Sequence, residues 1–336
     1  MSSAGTTVNR QIVLAARPQG LPAPDDFRLV EGRVPEPRPG QVLIRHTHLG
    51  LAPAARLRMS ETQSYAQPMA LGDVVYGQAA GEVIESRHDG FRPGDSVVSI
   101  NGSWQEYSVC GGAALTPADL ALAPATLWLG LLGTSGMTAY VGLLDIGRPQ
   151  AGETVVISAA SGAVGSAVGQ IARIKGCRAV GIVGGAAKCA YVVDELGFDA
   201  CIDYRAADFA QQLAAACPKG VDVYFENVGG VVRDTVWPLL NQNGRVVLCG
   251  LISEYNDAQG AGPGWFPLLT KRLMVQGFIL SDRLERRADF VRDMGAWYQA
   301  GRIRMREDLS HGLEQAVPAF IGMLQGRNFG KTLVKL

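Results

Sequence analysis

The sequence carries no excess of charge of either sign, since its 336 residues include 31 Lys and Arg against 31 Asp and Glu. A protein that binds nucleic acid or a membrane surface through charge shows a basic bias, so neither partner is expected. Long apolar runs are also missing: stretches such as Ala121–Leu132 contain Pro, Thr and Gly and are too short to span a bilayer. Met1–Val8 is small and polar without an apolar core, so we expect no secretory signal and a cytoplasmic location.

Cysteine and histidine are sparse. The six cysteines stand at 110, 177, 189, 201, 217 and 249, with no C-x-x-C pair. A disulfide framework or a four-cysteine zinc site needs closer grouping, so we expect reduced, mostly buried thiols. His46 and His48 share one face of a predicted strand, but no third ligand lies near them in sequence. No metal site is therefore expected.

The pattern of the chain changes near its first third. Up to about residue 130 it consists of short β-rich runs, broken by turn signals such as Pro39-Gly40 and Pro93-Gly94. From Thr134 onwards strands, glycine turns and helices alternate. Continuous Val/Ile runs joined by helices predict a parallel sheet covered on both faces. The predicted fold class is therefore α/β, with a doubly wound parallel-sheet domain of the Rossmann type beside a β-rich region.

The main functional signal is the segment Val155–Gly165, which follows a predicted strand and opens a predicted helix. Gly162 lets the backbone come close to a pyrophosphate, Gly165 permits close helix–strand packing, and the helix N-terminus offers N–H groups to phosphates. The usual G-x-G-x-x-G pattern is altered here to A-x-x-G-x-x-G, so a tight turn without a ligand is the competing interpretation. The repeated strand–helix context favours a dinucleotide, whose predicted contacts are Ser161, Gly162, Ala163, Val164 and Gly165.

The end of the second strand in this pattern indicates which dinucleotide binds. An NAD enzyme usually places Asp or Glu there for the ribose hydroxyls, but Gly181–Gly185 contains no acid. Lys188 follows in the next helix, and Tyr204-Arg205 follows the third strand. A cation without a carboxylate suits a 2′-phosphate, so the pattern favours NADPH, with a solvated surface lysine as the alternative for Lys188.

Ordered motifs run through nearly the whole chain: Asn9-Arg10-Gln11, Gly102–Tyr107, Gly136–Tyr140, Ala159–Gly165, Glu195–Asp199, Phe225–Gly230, Cys249–Asn256 and Gly326–Lys331. In this order and spacing the sequence resembles the zinc-free branch of the medium-chain dehydrogenase/reductases, which includes prostaglandin reductases, alkenal double-bond reductases and bacterial curcumin reductases. The resemblance implies a β-rich, GroES-like substrate domain at 1–130 and 302–336 and a Rossmann NADPH-binding domain at 131–301. It also implies a small-molecule substrate and a homodimer.

The resemblance further implies roles for individual residues. Lys188 and Tyr204 would hold the 2′-phosphate of NADPH, and Asn227 would bind the ribose on the nicotinamide side. The remaining implied cofactor contacts are Met137, Thr138, Cys249, Gly250, Leu251, Ile252, Ser253, Tyr255, Phe278, Ile279, Leu280 and Asn328. For Asn227 and Asn328, capping of a turn is the alternative.

Zinc relatives in this superfamily carry a Gly-His-Glu motif and a cysteine in an earlier loop. Here the matching stretches are Gly77-Gln78-Ala79 and Gly50–Pro53, neither of which supplies a zinc ligand. Without such a Lewis acid, oxidation of an alcohol is poorly served, whereas conjugate reduction needs only hydrogen-bond donors near the developing enolate. The prediction is therefore hydride transfer to the β-carbon of an enone or enal, with Tyr255 as the catalytic donor or proton source and a packed aromatic as its alternative.

The predicted substrate pocket contains Ala54, Ala55, Gln78 and Tyr255, and here the sequence departs from its family. The family usually reads Val-Asp-Pro-Tyr-Met-Arg-Gly-Arg-Met, whereas this chain has Leu51–Met59, with Ala54 in place of the tyrosine. Smaller side chains at 54 and 55 should widen or reshape the pocket. Two other functions stay open: a quinone reductase that uses the same hydride site, and a non-catalytic NADPH-binding protein.

Overall fold

The structure, a computed structural model, describes residues 8–61, 64–256 and 262–336. Of the N-terminal stretch considered above, all but Val8 lies outside the described residues. The chain divides into two compact units, one comprising the residues up to Leu129 with Glu307–Leu336, the other Gly130–Arg306. The C-terminal segment thus joins the first unit at residue 307, against a predicted 302. In the parts of the chain that are described, no helix has the length and apolar character needed to cross a membrane.

Antiparallel strands dominate the first unit. Numbered along the chain, its elements are β1 (Val8–Leu14), β2 (Phe27–Arg33), β3 (Gln41–Gly50), α1 (Ala54–Arg58), β4 (Gln78–Ser86), β5 (Ser96–Ser99), β6 (Tyr107–Gly111), β7 (Leu115–Pro117), α2 (Ala125–Trp128), β14 (Glu307–His311), α10 (Ala316–Leu324) and β15 (Lys331–Lys335). A seven-stranded sheet has the order β14-β15-β3-β4-β5-β7, with β6 paired to β3, while β1 and β2 form a separate antiparallel pair. This unit has the β-rich character that the turn-punctuated sequence predicts.

Three aromatic rings lie at the centre of the first unit. Phe27, Trp104 and Phe320 are buried, and Trp104 lies 5.9 Å from Phe27 and 5.3 Å from Phe320 between ring centroids. The Trp104–Phe320 pair is edge-on, the arrangement that the charge distribution of aromatic rings favours. Since Phe320 belongs to α10, this cluster ties the C-terminal segment to the β-rich N-terminal part.

The second unit contains a six-stranded parallel sheet in the order β10-β9-β8-β11-β12-β13. Its elements are α3 (Thr134–Val141), β8 (Thr154–Ser158), α4 (Ala163–Ile174), β9 (Arg178–Val183), α5 (Ala186–Ala190), β10 (Ala200–Asp203), α6 (Phe209–Ala216), β11 (Val221–Glu226), α7 (Gly230–Val236), β12 (Leu240–Leu248), α8 (Trp265–Lys271), β13 (Met274–Gly277) and α9 (Arg287–Gln299). The strand order reverses between β8 and β11, and ligands of such sheets bind at the carboxyl ends beside that point.

The central strands of the second unit's sheet are buried because they are almost wholly apolar. All five residues of β8 are buried, and so are the last five of β9. Helix α4 lies close to the loop after α5, since a Cβ at Gly169 would stand 1.8 Å from the ring of Phe198. Glycine at this helix position therefore lets the aromatic ring pack directly on the helix backbone.

Candidate active site

The turn between β8 and α4 has the backbone geometry of a phosphate-binding loop. Ala159 has a φ of +52°, which is uncommon for a residue with a side chain and marks a constrained turn. A Cβ at Gly165 would lie 2.4 Å from the Ala159 carbonyl oxygen, so only glycine allows the first turn of α4 to approach this loop. The N-cap residue is Gly162, which has no side chain that could cap the N–H groups of the first helical turn. Such an uncapped helix N-terminus fits a pyrophosphate.

The carboxyl end of β9 forms a second part of the site. A Cβ at Gly184 would lie 2.9 Å from the Tyr204 ring and 3.0 Å from Nε of Arg205, so both side chains pack against this strand end. The Arg205 guanidinium lies over the Tyr204 ring at 5.5 Å. Lys188 is half-buried in α5, which begins two residues after Gly184. The Arg205 guanidinium and the Tyr204 phenol therefore lie at the position that the sequence assigns to a 2′-phosphate, and Lys188 follows in the next helix.

One acid near this position is not among the predicted site residues. Asp203 ends β10, and backbone hydrogen bonds from Arg205 and Gly185 lower the pKa of its carboxyl. The Arg205 N–H donates to Asp203 at 3.0 Å. This carboxylate thus binds backbone groups of its own turn, and Arg205 is a cation that sequence reasoning noticed without assigning it to the site. The signal for both is the Asp-Tyr-Arg run, which begins with the last residue of β10.

The ends of β8 and β11 are held together by a buried polar network. The Ser158 hydroxyl donates to Oε1 of the fully buried Glu226 at 2.9 Å and accepts from the Asn227 N–H at 2.7 Å. The same Glu226 oxygen accepts the Val228 and Gly229 N–H groups at 2.7 and 3.1 Å. Nδ2 of Asn227 donates to the Ser158 carbonyl at 2.8 Å. The amide is therefore fixed at the sheet edge by its nitrogen, which leaves its oxygen as the group able to accept a ribose hydroxyl.

The loop after β12 runs alongside this network. The Cys249 and Gly250 N–H groups donate to the Glu226 carbonyl at 2.9 and 3.1 Å, and the Ser253 N–H donates to Val228 at 3.0 Å. Leu251 and Ile252 lie between these anchors and are half-buried. Backbone hydrogen bonds thus hold the loop Cys249–Ser253 against the end of β11, so the position of the loop depends little on side-chain identity.

Tyr255 lies at the end of the single 3₁₀ turn Ile252–Glu254. Its ring is half-buried, and its hydroxyl oxygen accepts the Leu251 N–H at 3.4 Å. A Cβ at Gly250 would approach that hydroxyl to 3.1 Å. The phenol is therefore folded back over its own loop, with its oxygen beside Gly250 and Leu251.

The other predicted cofactor residues of this unit fall into two groups. Phe278, Ile279 and Leu280 follow β13 and are half-buried, and a Cβ at Gly142 would lie 2.9 Å from the Phe278 ring. Met137 is buried in α3, whereas Thr138 beside it is half-buried. The segments after β8, β9, β10, β11, β12 and β13 thus lie along one carboxyl edge of one sheet, where the sequence pattern predicts a dinucleotide.

The predicted site residues of the first unit are less uniform. Ala54 and Gln78 are half-buried, at the start of α1 and of β4. The prediction that Ala55 lines the substrate pocket is corrected by its burial. Ala55 is 3% exposed and packs in the hydrophobic core with Met59 and Trp104, so its side chain is not available to line a pocket. Nδ2 of Asn328 donates to the Gly330 carbonyl at 3.0 Å, the local turn contact that was weighed as its alternative role.

The loop before α1 is fixed by a buried lysine. Lys331 is 3% exposed, and its Nζ donates to the Leu51 carbonyl at 2.9 Å. Burial lowers the pKa of this ammonium to about 8. The start of the loop that departs from the family pattern is therefore held by a polar contact from β15.

The two neighbouring histidines do not form a metal site. His46 is buried, with its ring nitrogens 2.8 Å from the Gln105 carbonyl and 2.8 Å from the Ser108 hydroxyl, and burial lowers its pKa to about 4. A register shift between His46 and His48 interrupts the alternation that would set both on one face. Within residues 8–61, 64–256 and 262–336, no group of three or more His, Cys, Asp or Glu side chains is arranged to hold a metal ion.

Comparison with known proteins identifies the family. Residues 10–118 match the family model described as an N-terminal domain of oxidoreductase, and residues 163–298 match the one described as a zinc-binding dehydrogenase. The chain is 48% identical to an NADPH-dependent curcumin reductase of Escherichia coli over 98% of this chain and 97% of that protein. It belongs to the zinc-independent branch of the medium-chain dehydrogenase/reductases. It is therefore an oxidoreductase. The description of the model that matches residues 163–298 refers to zinc-binding members of the same superfamily.

Further relatives support this membership. A 2-alkenal reductase (NADP⁺-dependent) of Nicotiana tabacum is 35% identical, with 97% of each chain covered. The crystal structure of CurA from Vibrio vulnificus in complex with NADPH superimposes with a TM-score of 0.92 at 46% identity, covering 97% of this chain and 98% of that one. The match thus extends over nearly the full length of both proteins, which includes both units of this chain.

Proposed function

We propose that this chain is an NADPH-dependent reductase of the conjugated C=C bond of α,β-unsaturated ketones and aldehydes. The observation that carries the proposal is the turn at Gly162–Gly165, where only glycine lets α4 approach the Ala159 carbonyl, beside a β9 end that has no acid in its own sequence. The relatives that are named curcumin reductase and 2-alkenal reductase support this substrate class, because the substrate in each name contains a C=C bond conjugated to a carbonyl.

NADPH is the cofactor, and it supplies the hydride. The uncapped N–H groups of α4 bind its pyrophosphate, while Lys188 and Tyr204 bind the 2′-phosphate. The Asn227 amide oxygen accepts from a ribose hydroxyl. The loop Cys249–Ser253 and the segment Phe278–Leu280 contact the nicotinamide end of NADPH. Further contacts come from Met137, Thr138 and Asn328.

Tyr255 provides the acid chemistry. As hydride adds to the β-carbon, negative charge develops on the substrate carbonyl oxygen, and a phenolic O–H aimed at that oxygen stabilises it. The α-carbon then takes a proton from the phenol or from water, giving the saturated carbonyl compound. The Leu251 N–H that the Tyr255 oxygen accepts favours this role, since a donated hydrogen bond stabilises a phenol oxygen as it loses its own proton. Ala54 and Gln78 stay proposed substrate contacts, and a cytoplasmic location stays a prediction from the sequence.

The experiment that tests the proposal follows NADPH oxidation with a panel of 2-alkenals, aryl enones, cyclic enones and quinones. We expect turnover of the open-chain enals and enones, with product analysis showing a saturated carbonyl compound. Faster turnover of quinones than of every enone would replace the proposal by quinone reduction. Tight NADPH binding without oxidation of any panel member would support a non-catalytic NADPH-binding protein.

We also propose that the chain forms a homodimer through the β13 side of the second unit. β13 ends the sheet order, and three large apolar side chains of the preceding helix α8 are highly exposed: Trp265, Phe266 and Leu269 at 84%, 74% and 74%. Exposed apolar clusters beside an open strand edge favour association with a second copy. Light scattering should give about twice the 35.6 kDa chain mass, and Trp265→Glu should shift it towards one chain mass. A monomer in the unsubstituted protein would contradict this proposal alone.

A further inference from the structure

A nearly buried ion pair joins helix α7 to the loop that carries Tyr255. Nη1 of Arg233, which lies in α7, donates to Oε1 of Glu254 at 2.8 Å. Each of the two side chains is only 11% exposed. Removing one partner of such a pair leaves the other charge away from water without compensation. Loss of this pair should therefore matter more than loss of a solvated surface pair.

The Glu254 carboxylate also binds the backbone at the start of α7. The Gly230 N–H donates to the same Oε1 at 3.2 Å. Gly229, the residue before the helix, has a φ of +82°, and a Cβ at this position would lie 2.8 Å from that oxygen. Glycine therefore lets the turn before α7 come close to the carboxylate.

The residues directly before Glu254 are held against the same turn. The Ile252 N–H donates to the Asn227 carbonyl at 3.2 Å. The Ser253 hydroxyl donates to the Val228 carbonyl at 2.6 Å. Glu254 extends this series of contacts by one residue and makes its own contact with a charged side chain. The loop is therefore anchored up to the residue that directly precedes the phenol.

We propose that the Arg233–Glu254 ion pair positions Tyr255 for its reaction with the substrate, so that Arg233 and Glu254 are positioning residues. The inference rests on the proposed function, in which the Tyr255 hydroxyl stabilises the developing oxyanion. That hydroxyl lies beside Gly250 and Leu251 because a 3₁₀ turn folds the ring back over its own loop. Glu254 is the last residue of this turn, so its ion pair fixes the direction in which the Tyr255 ring leaves the turn.

The ion pair should affect the rate of reduction more than the binding of NADPH. The loop Cys249–Ser253, which is proposed to contact the nicotinamide, is held by backbone hydrogen bonds that do not involve the Glu254 side chain. Without the pair, the end of the 3₁₀ turn is free to move away from α7, and the phenol moves with it. A shift of about 1 Å in a reacting group lowers a rate by up to about a hundredfold.

The test compares three substitutions in the intact enzyme, with NADPH and an enone in single-turnover experiments. Glu254→Ala removes the pair, and the rate of reduction should fall about tenfold while the NADPH Kd rises less than about twofold. Glu254→Gln keeps an oxygen that can accept from Gly230 and Arg233, so the rate should fall less. Asp234→Asn is the matched control. Asp234 accepts from Nε of the same Arg233 at 3.0 Å, but its side chain is 59% exposed, so both constants should stay unchanged.

A double-mutant cycle distinguishes positioning from a general loss of stability. In the Tyr255→Phe background the hydroxyl is absent, so Glu254→Ala should change the rate by less than about twofold if the pair acts through that hydroxyl. Thermal unfolding of each variant checks that it is folded. If Glu254→Ala does not fold, the same cycle with Glu254→Gln decides.

Three results would overturn the positioning role. They are an equal loss of rate in both backgrounds, an unchanged rate in folded Glu254→Ala, and an NADPH Kd that rises as much as the rate falls. A different result identifies a failure of the proposed function itself. If Tyr255→Phe alone reduces the enone at the rate of the unsubstituted enzyme, the catalytic role of Tyr255 is wrong, and the positioning role is refuted with it.

Discussion

The two units define their candidate sites by different means. In the second unit the candidate site consists of strand ends and glycines. Gly165 and Gly184 leave room that a Cβ would fill. Backbone hydrogen bonds hold the loop Cys249–Ser253 against the end of β11. In the first unit the candidate substrate residues are side chains of a short helix and a strand start, Ala54 and Gln78. Backbone geometry tolerates few substitutions, whereas pocket side chains can change without disturbing the fold. In the sequence, the predicted cofactor motifs match the family pattern, and the predicted substrate loop departs from it.

The sharpest test of this difference is Gly165→Ala. The new Cβ would lie 2.4 Å from the Ala159 carbonyl oxygen, so the phosphate-binding turn must open. Loss of two charge-assisted phosphate contacts, at about 1.5–3 kcal/mol each, should raise the NADPH Kd by more than about a hundredfold. Gly111→Ala is the control, because its Cβ meets nothing within 4 Å and its φ is −73°. Equal Kd values for the two variants in isothermal titration would show that the turn does not bind the cofactor.

Tyr255→Phe tests the chemistry in the same unit. The ring and its packing stay, so only the hydroxyl beside Gly250 and Leu251 is removed. A donor to the developing oxyanion is worth about 2.7–4 kcal/mol, so kcat should fall about a hundredfold or more while NADPH binding changes little. The effect is smaller if the cofactor's 2′-hydroxyl shares the role. Single-turnover rates equal to those of the unsubstituted enzyme would reduce Tyr255 to a wall of the pocket.

The sequence predicts most of the second unit because its strands and helices can be recognised from short local patterns of apolar residues and turn residues. Strands β9, β10 and β11 coincide with short, mainly apolar runs that end at glycine or polar residues, as the alternating pattern after Thr134 predicts. Strand β12 begins at Leu240, although Asn-Gln-Asn-Gly reads as a turn, and Asn243 indeed has a φ of +62° inside the strand. Strands β13 and β14 were not predicted, because Met-Val-Gln-Gly and Glu-Asp-Leu-Ser-His contain no continuous apolar run and are half-buried or exposed.

The predicted site residues also differ in how far the sequence locates them. The sequence pattern puts the predicted cofactor segments at strand ends, and the parallel topology brings those strand ends to one edge of the sheet. It could not separate Ala54 from Ala55, because which of two adjacent alanines faces the core depends on the rotation of α1, and that is set by packing with distant residues such as Trp104.

Lys188→Ala sharpens the comparison within the cofactor edge. Removing one charge-assisted contact to the 2′-phosphate costs about 1.5–3 kcal/mol, so the KM for NADPH should rise about tenfold or more while that for NADH stays constant. Lys219→Ala removes the same charge from an exposed position just before β11, at the opposite edge of the sheet, and should leave both constants unchanged. Equal efficiency of the unsubstituted enzyme with NADPH and NADH would contradict the assignment.

Ala54→Tyr tests the other half of the comparison and should have the smallest effect. It restores the ring that the family pattern has at this half-buried position, at the start of α1 and next to the core residue Ala55. If Ala54 faces the substrate, kcat/KM for a bulky aryl enone should fall relative to a short 2-alkenal by about three- to tenfold, the discrimination expected from a pocket side chain. The NADPH Kd should not change, because the cofactor edge is built by the other unit's backbone.

Ala121→Tyr, at an exposed position of the same unit, controls for the added ring and should leave the substrate ratio unchanged. An unchanged ratio in Ala54→Tyr would remove residue 54 from the pocket and attribute the substrate range to other side chains. A raised NADPH Kd would instead mean that the Leu51–Met59 loop also serves the cofactor, and the division between a backbone-defined and a side-chain-defined half would fail.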